Sequence, residues 1–127
     1  MKIIKGCSRI VFVTSKYAFK FPNPFYKGKI RWGNLVSGVY CNLSEKAHWK
    51  ICKNIEKGKE LCPVKFSFAG ILLIMPRVHI LTGEEKYLLD FMKPAEDGED
   101  RKPENYGVYQ NRLVCVDYPY HRIFPFT

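Results

Sequence analysis

Residues 100–105, Asp-Arg-Lys-Pro-Glu-Asn, and residues 113–118, Leu-Val-Cys-Val-Asp-Tyr, decide how this chain is read. The first stretch puts an acid, a base and an amide in one loop. The second is an apolar run that ends on a second acid. Val108–Tyr109 and Leu113–Val116, separated by Gln110-Asn111, form a hairpin on the rule that β-branched and aromatic runs flank a short polar turn. The loop thus carries Asp100, Lys102 and Asn105, and Asp117 follows at the end of the hairpin's second strand. Acid and amide oxygens at such spacing suit phosphoryl transfer, where one carboxylate meets the incoming hydroxyl and the other oxygens face a metal.

Working outward, Ile10–Val13 and Tyr17–Phe21 read as a first hairpin around Thr14-Ser15-Lys16, closed by Pro22-Asn23-Pro24. Residues 23–33 read as an irregular connection. A helix is expected from Asn34, a good cap, with Leu35, Val39, Leu43, Ala47, Ile51 and Ile55 as its apolar stripe and Gly58 as its end. Asn42 and Ser44 could divide it in two. Glu45 falls on a second face with Cys41, His48, Trp49 and Cys52. A further hairpin runs over Val64–Phe68 and Ile71–Met75, the second strand apolar enough to be central. Thr82 is expected to cap a short helix over Glu84–Met92, residues 93–104 to form a loop, and Pro119–Thr127 to pack as coil.

The composition bounds the possibilities. The chain has 127 residues, 46% hydrophobic and 15% aromatic, enough for one packed domain and too apolar for disorder. Lys and Arg number 21 against 12 Asp and Glu, a net charge of +9, which favours anionic partners: a nucleotide, nucleic acid or an acidic protein surface. The five cysteines, at 7, 41, 52, 62 and 115, have no paired spacing and read as free thiols in a reducing compartment. The longest apolar run, Ile71–Met75, is too short for a bilayer, and Lys5–Arg9 interrupts any leader, so a soluble, cytoplasmic protein with no membrane partner is expected. His48, His79 and His121 lie too far apart for a metal motif, and Cys52, Cys62 and His48 match no zinc spacing.

The segment D-R-K-P-E-N…V-C-V-D-Y resembles the D-L-K-P-E-N…D-F-G segment of protein kinases. Upstream, Gly6-Cys7-Ser8-Arg9-Ile10-Val11-Phe12 and Tyr17-Ala18-Phe19-Lys20-Phe21 are similar to that family's Gly-containing loop and its V-A-I-K strand. The resemblance implies an α+β fold, a miniature kinase with an antiparallel sheet and one main helix, lacking most of the C-terminal lobe. Residues 1–75 would form the sheet-and-helix lobe, and 76–127 the reduced catalytic-loop and metal-loop segment of the same domain. It implies ATP and Mg2+ as cofactors. Lys20, paired with Glu45, would hold the donor phosphates, and Met75-Pro76-Arg77 would meet the adenine. Asp100 would orient the acceptor hydroxyl, Lys102 would steady the phosphoryl group, and Asn105 and Asp117 would hold metal.

The chain also departs from that pattern. Gly98-Glu99 replaces the family's His-Arg, Pro119 its Gly after D-F, and Gly6 alone remains of the Gly-rich loop. Ten residues follow Asp117, too few for an activation segment. These changes make an inactive, pseudokinase-like protein that occupies a macromolecular partner the alternative expectation. Its compactness is also in the style of phage-encoded modulators of host machinery. A different class of function rests on Lys16, Lys20, Lys27, Lys29 and Arg31, which alternate with Tyr17, Phe19, Phe25, Tyr26 and Trp32. Basic grooves with stacking aromatics hold single-stranded nucleic acid.

Overall fold

A computed structural model describes residues 1–6, 8–88 and 103–117. Its centre is a five-stranded antiparallel sheet in the order β1-β2-β3-β7-β6. The strands are β1 Lys2–Lys5, β2 Arg9–Val13, β3 Tyr17–Pro22, β6 Phe66–Phe68 and β7 Leu72–Pro76. One long helix, α1 Trp32–Cys52, links β3 to the β6–β7 hairpin and packs mainly on β3. A small ribbon, β4 Phe25–Tyr26 and β5 Lys29–Ile30, precedes it. The chain is thus α+β with an antiparallel sheet and one main helix.

The turns explain the hairpins. Ala69 and Gly70, at φ 49° and 75°, join β6 to β7, and Gln110 and Asn111, at φ 50° and 62°, join the last two strands. Two successive left-handed residues match the twist of paired strands. Lys27 and Gly28, at φ 50° and 77°, do the same between β4 and β5, so the stretch expected to be irregular contains a ribbon. β7 lies between β3 and β6, an interior place that fits its apolar sequence.

A second sheet, in the order β10-β9-β8, is made of β8 His79–Ile80, β9 Tyr106–Tyr109 and β10 Arg112–Cys115. It is fastened to the rest near Cys115. Leu61 bridges Cys115 in parallel, and the Cys62 N–H donates to the Cys115 carbonyl at 2.9 Å. Cys52, Leu61, Cys62, Leu73, Met75 and Val114 form the buried core at this junction, with Trp49 and Val64 packed against it. Leu81 and Tyr106 make a smaller cluster.

Helix α1 departs from its expected form in three respects. It begins at Trp32, with Arg31 as a cap that offers no side-chain bond, and not at Asn34. It runs undivided through Asn42 and Ser44 and stops at Cys52, a 3-10 turn at Glu56–Glu60 following. Its buried residues are Gly38, Asn42, Ser44, Glu45 and Cys52, while Leu43, Ile51 and Ile55 of the expected stripe are exposed. The reason is electrostatic. The sheet presents two buried cations to the helix, and the inward face must supply acceptors to them rather than apolar surface.

Thr82 forms a capping box with Glu85, its N–H donating to Glu85 Oε1 at 3.1 Å, but it opens a 3-10 turn over Gly83–Glu85. The remainder of the expected Glu84–Met92 helix beyond Leu88, and the Pro119–Thr127 tail, lie outside the described residues. No described helix is long and apolar enough to cross a membrane. Cys41, Cys52, Cys62 and Cys115 are free thiols, as the sequence led one to expect.

Candidate functional site

A cleft of about 560 Å³ is lined by one face of the main sheet and by residues at and beside the second sheet. Val11 and Val13 of β2, Ala18 of β3, Met75 of β7, and Val78 and Ile80 beyond it line its aliphatic part. Strand alternation explains the first of these. Residues two apart share a face, so Arg9, Val11 and Val13 point the same way from β2, as do Ala18 and Lys20 from β3. The polar end of the cleft carries Arg9, Lys20, Asn105 and Asp117.

The structure brings Lys20 and Glu45 together. Lys20 Nζ lies 3.1 Å from Glu45 Oε2 and 3.3 Å from Oε1, and it also donates to the Val116 carbonyl at 2.5 Å. Glu45 is fully buried and Lys20 only 6% exposed. Lys20 is therefore no member of an exposed basic-aromatic stripe, and the alternation that suggested a single-strand groove is interrupted there. The Asn105 backbone carbonyl accepts the Val116 N–H at 2.8 Å, so the loop is tied to the chain just past β10, one residue before Asp117.

Arg9 completes the cluster, and it was not among the residues singled out in the sequence. Its Nη1 donates to Glu45 Oε2 at 2.8 Å and to Asn42 Oδ1 at 3.3 Å. Its Nη2 donates to Glu45 Oε1 at 2.9 Å and to Asp117 Oδ1 at 2.5 Å. Asn42 in turn donates to the Lys20 and Gly70 carbonyls at 3.1 and 2.9 Å. A signal was present in the sequence: Arg9 shares the inward phase of Val11 and Val13, where a cation must find a buried partner.

These contacts set the ionisation. Burial alone would raise the Glu45 carboxyl, but Lys20 and Arg9 outweigh it and hold its pKa down to about 2. Burial works against the Arg9 charge as well, and Glu45 and Asp117 more than offset it, so its pKa is raised. Asp117 is the reverse case. Partial burial and then the Glu45 carboxylate lift its pKa, with Arg9 and Lys20 opposing. Burial also pushes the Cys62 thiol up to about 12, which leaves it a packing residue rather than a nucleophile.

The other expected site residues fare differently. Met75 lines the cleft from a fully buried place in β7, paired with Ala18. Beyond it Pro76 has no N–H, and the Arg77 N–H is spent on the Lys16 carbonyl at 2.8 Å, so those two offer a base no backbone donor. Asp100 and Lys102 lie outside the described residues.

The divalent cation implied by the sequence resemblance does not fit this arrangement. Mg2+ needs near-octahedral oxygen ligands at about 2.0–2.1 Å. Asp117 Oδ1 is taken by Arg9 and both Glu45 oxygens by Arg9 and Lys20, so the carboxylate expected to hold metal beside Asn105 already carries a cation. Among the described residues no three His, Cys, Asp or Glu side chains converge as a metal group. Comparison with protein-family models, characterised proteins and solved structures gives no match for the chain.

Proposed function

We propose that the cleft is a nucleotide site of kinase-like design, its aliphatic part taking the base and its charged end facing the phosphates. The observation that carries this reading is the buried Lys20–Glu45 pair, whose lysine lines the polar part of a cleft that also has an aliphatic part. A lysine desolvated against a carboxylate is costly to keep, and a place beside a ligand's phosphates would account for it. The order of parts supports the same reading. A strand lysine, a helix glutamate, a two-stranded return and a hairpin ending in an acid follow one another as the resemblance to protein kinases requires.

A second reading, a pseudokinase-like protein that modulates a macromolecular partner, is favoured by the Arg9–Asp117 bond, which commits the acid that kinases leave free. On the phosphotransferase reading Asp100 would accept the proton of the incoming hydroxyl and Lys102 would balance the transferred charge. On the pseudokinase reading neither is needed.

The test is calorimetric titration of ATP, and separately of adenosine, into the wild type and Ala18→Trp. Ala18 lines the cleft, and an indole there fills it from the β3 side. Binding by wild type and its loss in a folded Ala18→Trp supports the site. Absence of ATP and adenosine binding by wild type overturns the nucleotide reading and leaves the partner reading.

A further inference from the structure

The four charges at the polar end of the cleft balance without any ligand. Arg9 and Lys20 supply two positive charges, and Glu45 and Asp117 two negative ones. The terminal donors of the two cations are also engaged. Both terminal nitrogens of Arg9 have acceptors, Nη2 being shared between Glu45 and Asp117. Lys20 Nζ has three donors and meets the two Glu45 oxygens and the Val116 carbonyl. Arg9 itself is 8% exposed, and Asn42 braces its Nη1 from the helix, so it is a built part of the site and not a surface side chain that has fallen inward.

From this we infer that the cleft takes its nucleotide without a divalent cation, Arg9 being the resident counter-charge of Asp117. This rests on the nucleotide reading above. A divalent ion at Asp117 Oδ1 would have to stand against the guanidinium already bonded there, and the two cations repel. A metal takes that oxygen only where Arg9 leaves. Arg9 is thus the positioning residue that decides metal dependence: its Nη2 bridges the Asp117 and Glu45 carboxylates. The geometry also removes free donors from Lys20, so phosphates gain contact with it only by displacing the Val116 carbonyl.

The experiment uses the full chain and two probes. ATP is titrated calorimetrically in EDTA and in excess MgCl2 at matched ionic strength, with adenosine as the uncharged reference. Mn2+ alone is then titrated into wild type and Arg9→Gln, followed by electron paramagnetic resonance. The expected result is ATP affinity no greater in Mg2+ than in EDTA, no Mn2+ uptake by wild type, and uptake by Arg9→Gln. Tightening by Mg2+ of about tenfold or more, the size of ordinary coupling between two ligands, would overturn the inference. So would Mn2+ binding to wild type, or a folded Arg9→Gln that takes up none. ATP bound in neither buffer would count against the nucleotide reading instead, and the Mn2+ titrations would still decide the role of Arg9. The wild-type measurements need no variant to fold.

Discussion

Arg9 lies two-pronged on Glu45, Nη1 to Oε2 at 2.8 Å and Nη2 to Oε1 at 2.9 Å, with the carboxylate wholly buried. The bond ties the first residue of β2 to the middle of α1. With the Lys20 contact it makes one buried carboxylate the anchor of two buried cations. The acid is thus a structural hub before it is anything else.

Removing that hub should cost far more than a surface carboxylate does. Glu45→Gln keeps the shape and deletes the charge, leaving Arg9 and Lys20 with Asp117 as the remaining anion of the cluster. Breaking a buried ion pair from one side costs about 3–5 kcal/mol. Urea unfolding should show a loss in that range, and a loss under about 1 kcal/mol would mean that water reaches the cluster.

The same carboxylate predicts how stability changes with acid. Its pKa falls from an ordinary 4.5 to about 2 in the folded chain. A depressed acid stabilises the fold above its unfolded pKa and loses that contribution as the pH falls toward the folded one. The difference corresponds to about 3 kcal/mol, withdrawn between about pH 4.5 and pH 2. Asp117 acts in the opposite sense. Its raised pKa favours the fold below 3.8 and is a cost as the pH rises, but its side chain is 45% exposed, so solvent screens it to a minor part. Urea midpoints from pH 5 to pH 2.5 should therefore fall more steeply for wild type than for Glu45→Gln, and parallel curves would contradict this.

How the sequence disclosed this molecule depends on the kind of residue. The three hairpins were readable because β-branched and aromatic runs meet at Thr14-Ser15-Lys16, Ala69-Gly70 and Gln110-Asn111, turn chemistry that is local. The inward face of α1 was legible only in part: Glu45, Trp49 and Cys52 were placed on a second face, but Gly38 and Asn42 were not. Gly38, Asn42, Glu45, Trp49 and Cys52 follow one another in steps of three or four and face the interior wholly or in part. Because three of the five are not apolar, a search for hydrophobic period passes over them. It selects Leu43, Ile51 and Ile55, which are exposed. Arg9 was hidden for a similar reason: its partners are 33 to 108 positions away, and nothing local demands them. Lys20 and Glu45 were found only through the order of motifs along the chain.

That inversion of the helix gives a paired prediction. Ile51 is 60% exposed, so Ile51→Lys should change stability by no more than about 0.5 kcal/mol. Asn42 is 1% exposed and holds the Arg9 guanidinium and the Lys20 and Gly70 carbonyls. Asn42→Leu, of similar size, strips those bonds and should cost at least about 2 kcal/mol, since each buried polar group left unpaired costs about 1–3 kcal/mol. A hydrophobic reading of the helix expects the reverse order. Thermal unfolding of the two variants side by side decides between them.

The closest approach of helix to sheet supplies the last prediction. Gly38 sits in α1 opposite the start of β2 and the end of β3. A Cβ there would stand 2.7 Å from Pro22 Cα and nearer still to the Ser8 carbonyl oxygen. Both obstacles are backbone or ring atoms that no rotamer change can move. The Ser8 carbonyl already accepts the Asn23 N–H at 2.7 Å, so shifting it strains a second contact. Gly38→Ala would gain up to about 1 kcal/mol of helix propensity in an open helix. Against that, forcing α1 outward costs about 1–3 kcal/mol by overpacking and lengthens the Arg9–Glu45 and Lys20–Glu45 contacts one to two turns further along. The net effect should be destabilising, with the Arg9–Glu45–Lys20 cluster loosened too. By contrast, Gly33→Ala in the same helix meets nothing within 4 Å and should be neutral or mildly stabilising. Equal stability of the two alanine variants would mean that α1 does not press on the sheet where Arg9 enters it.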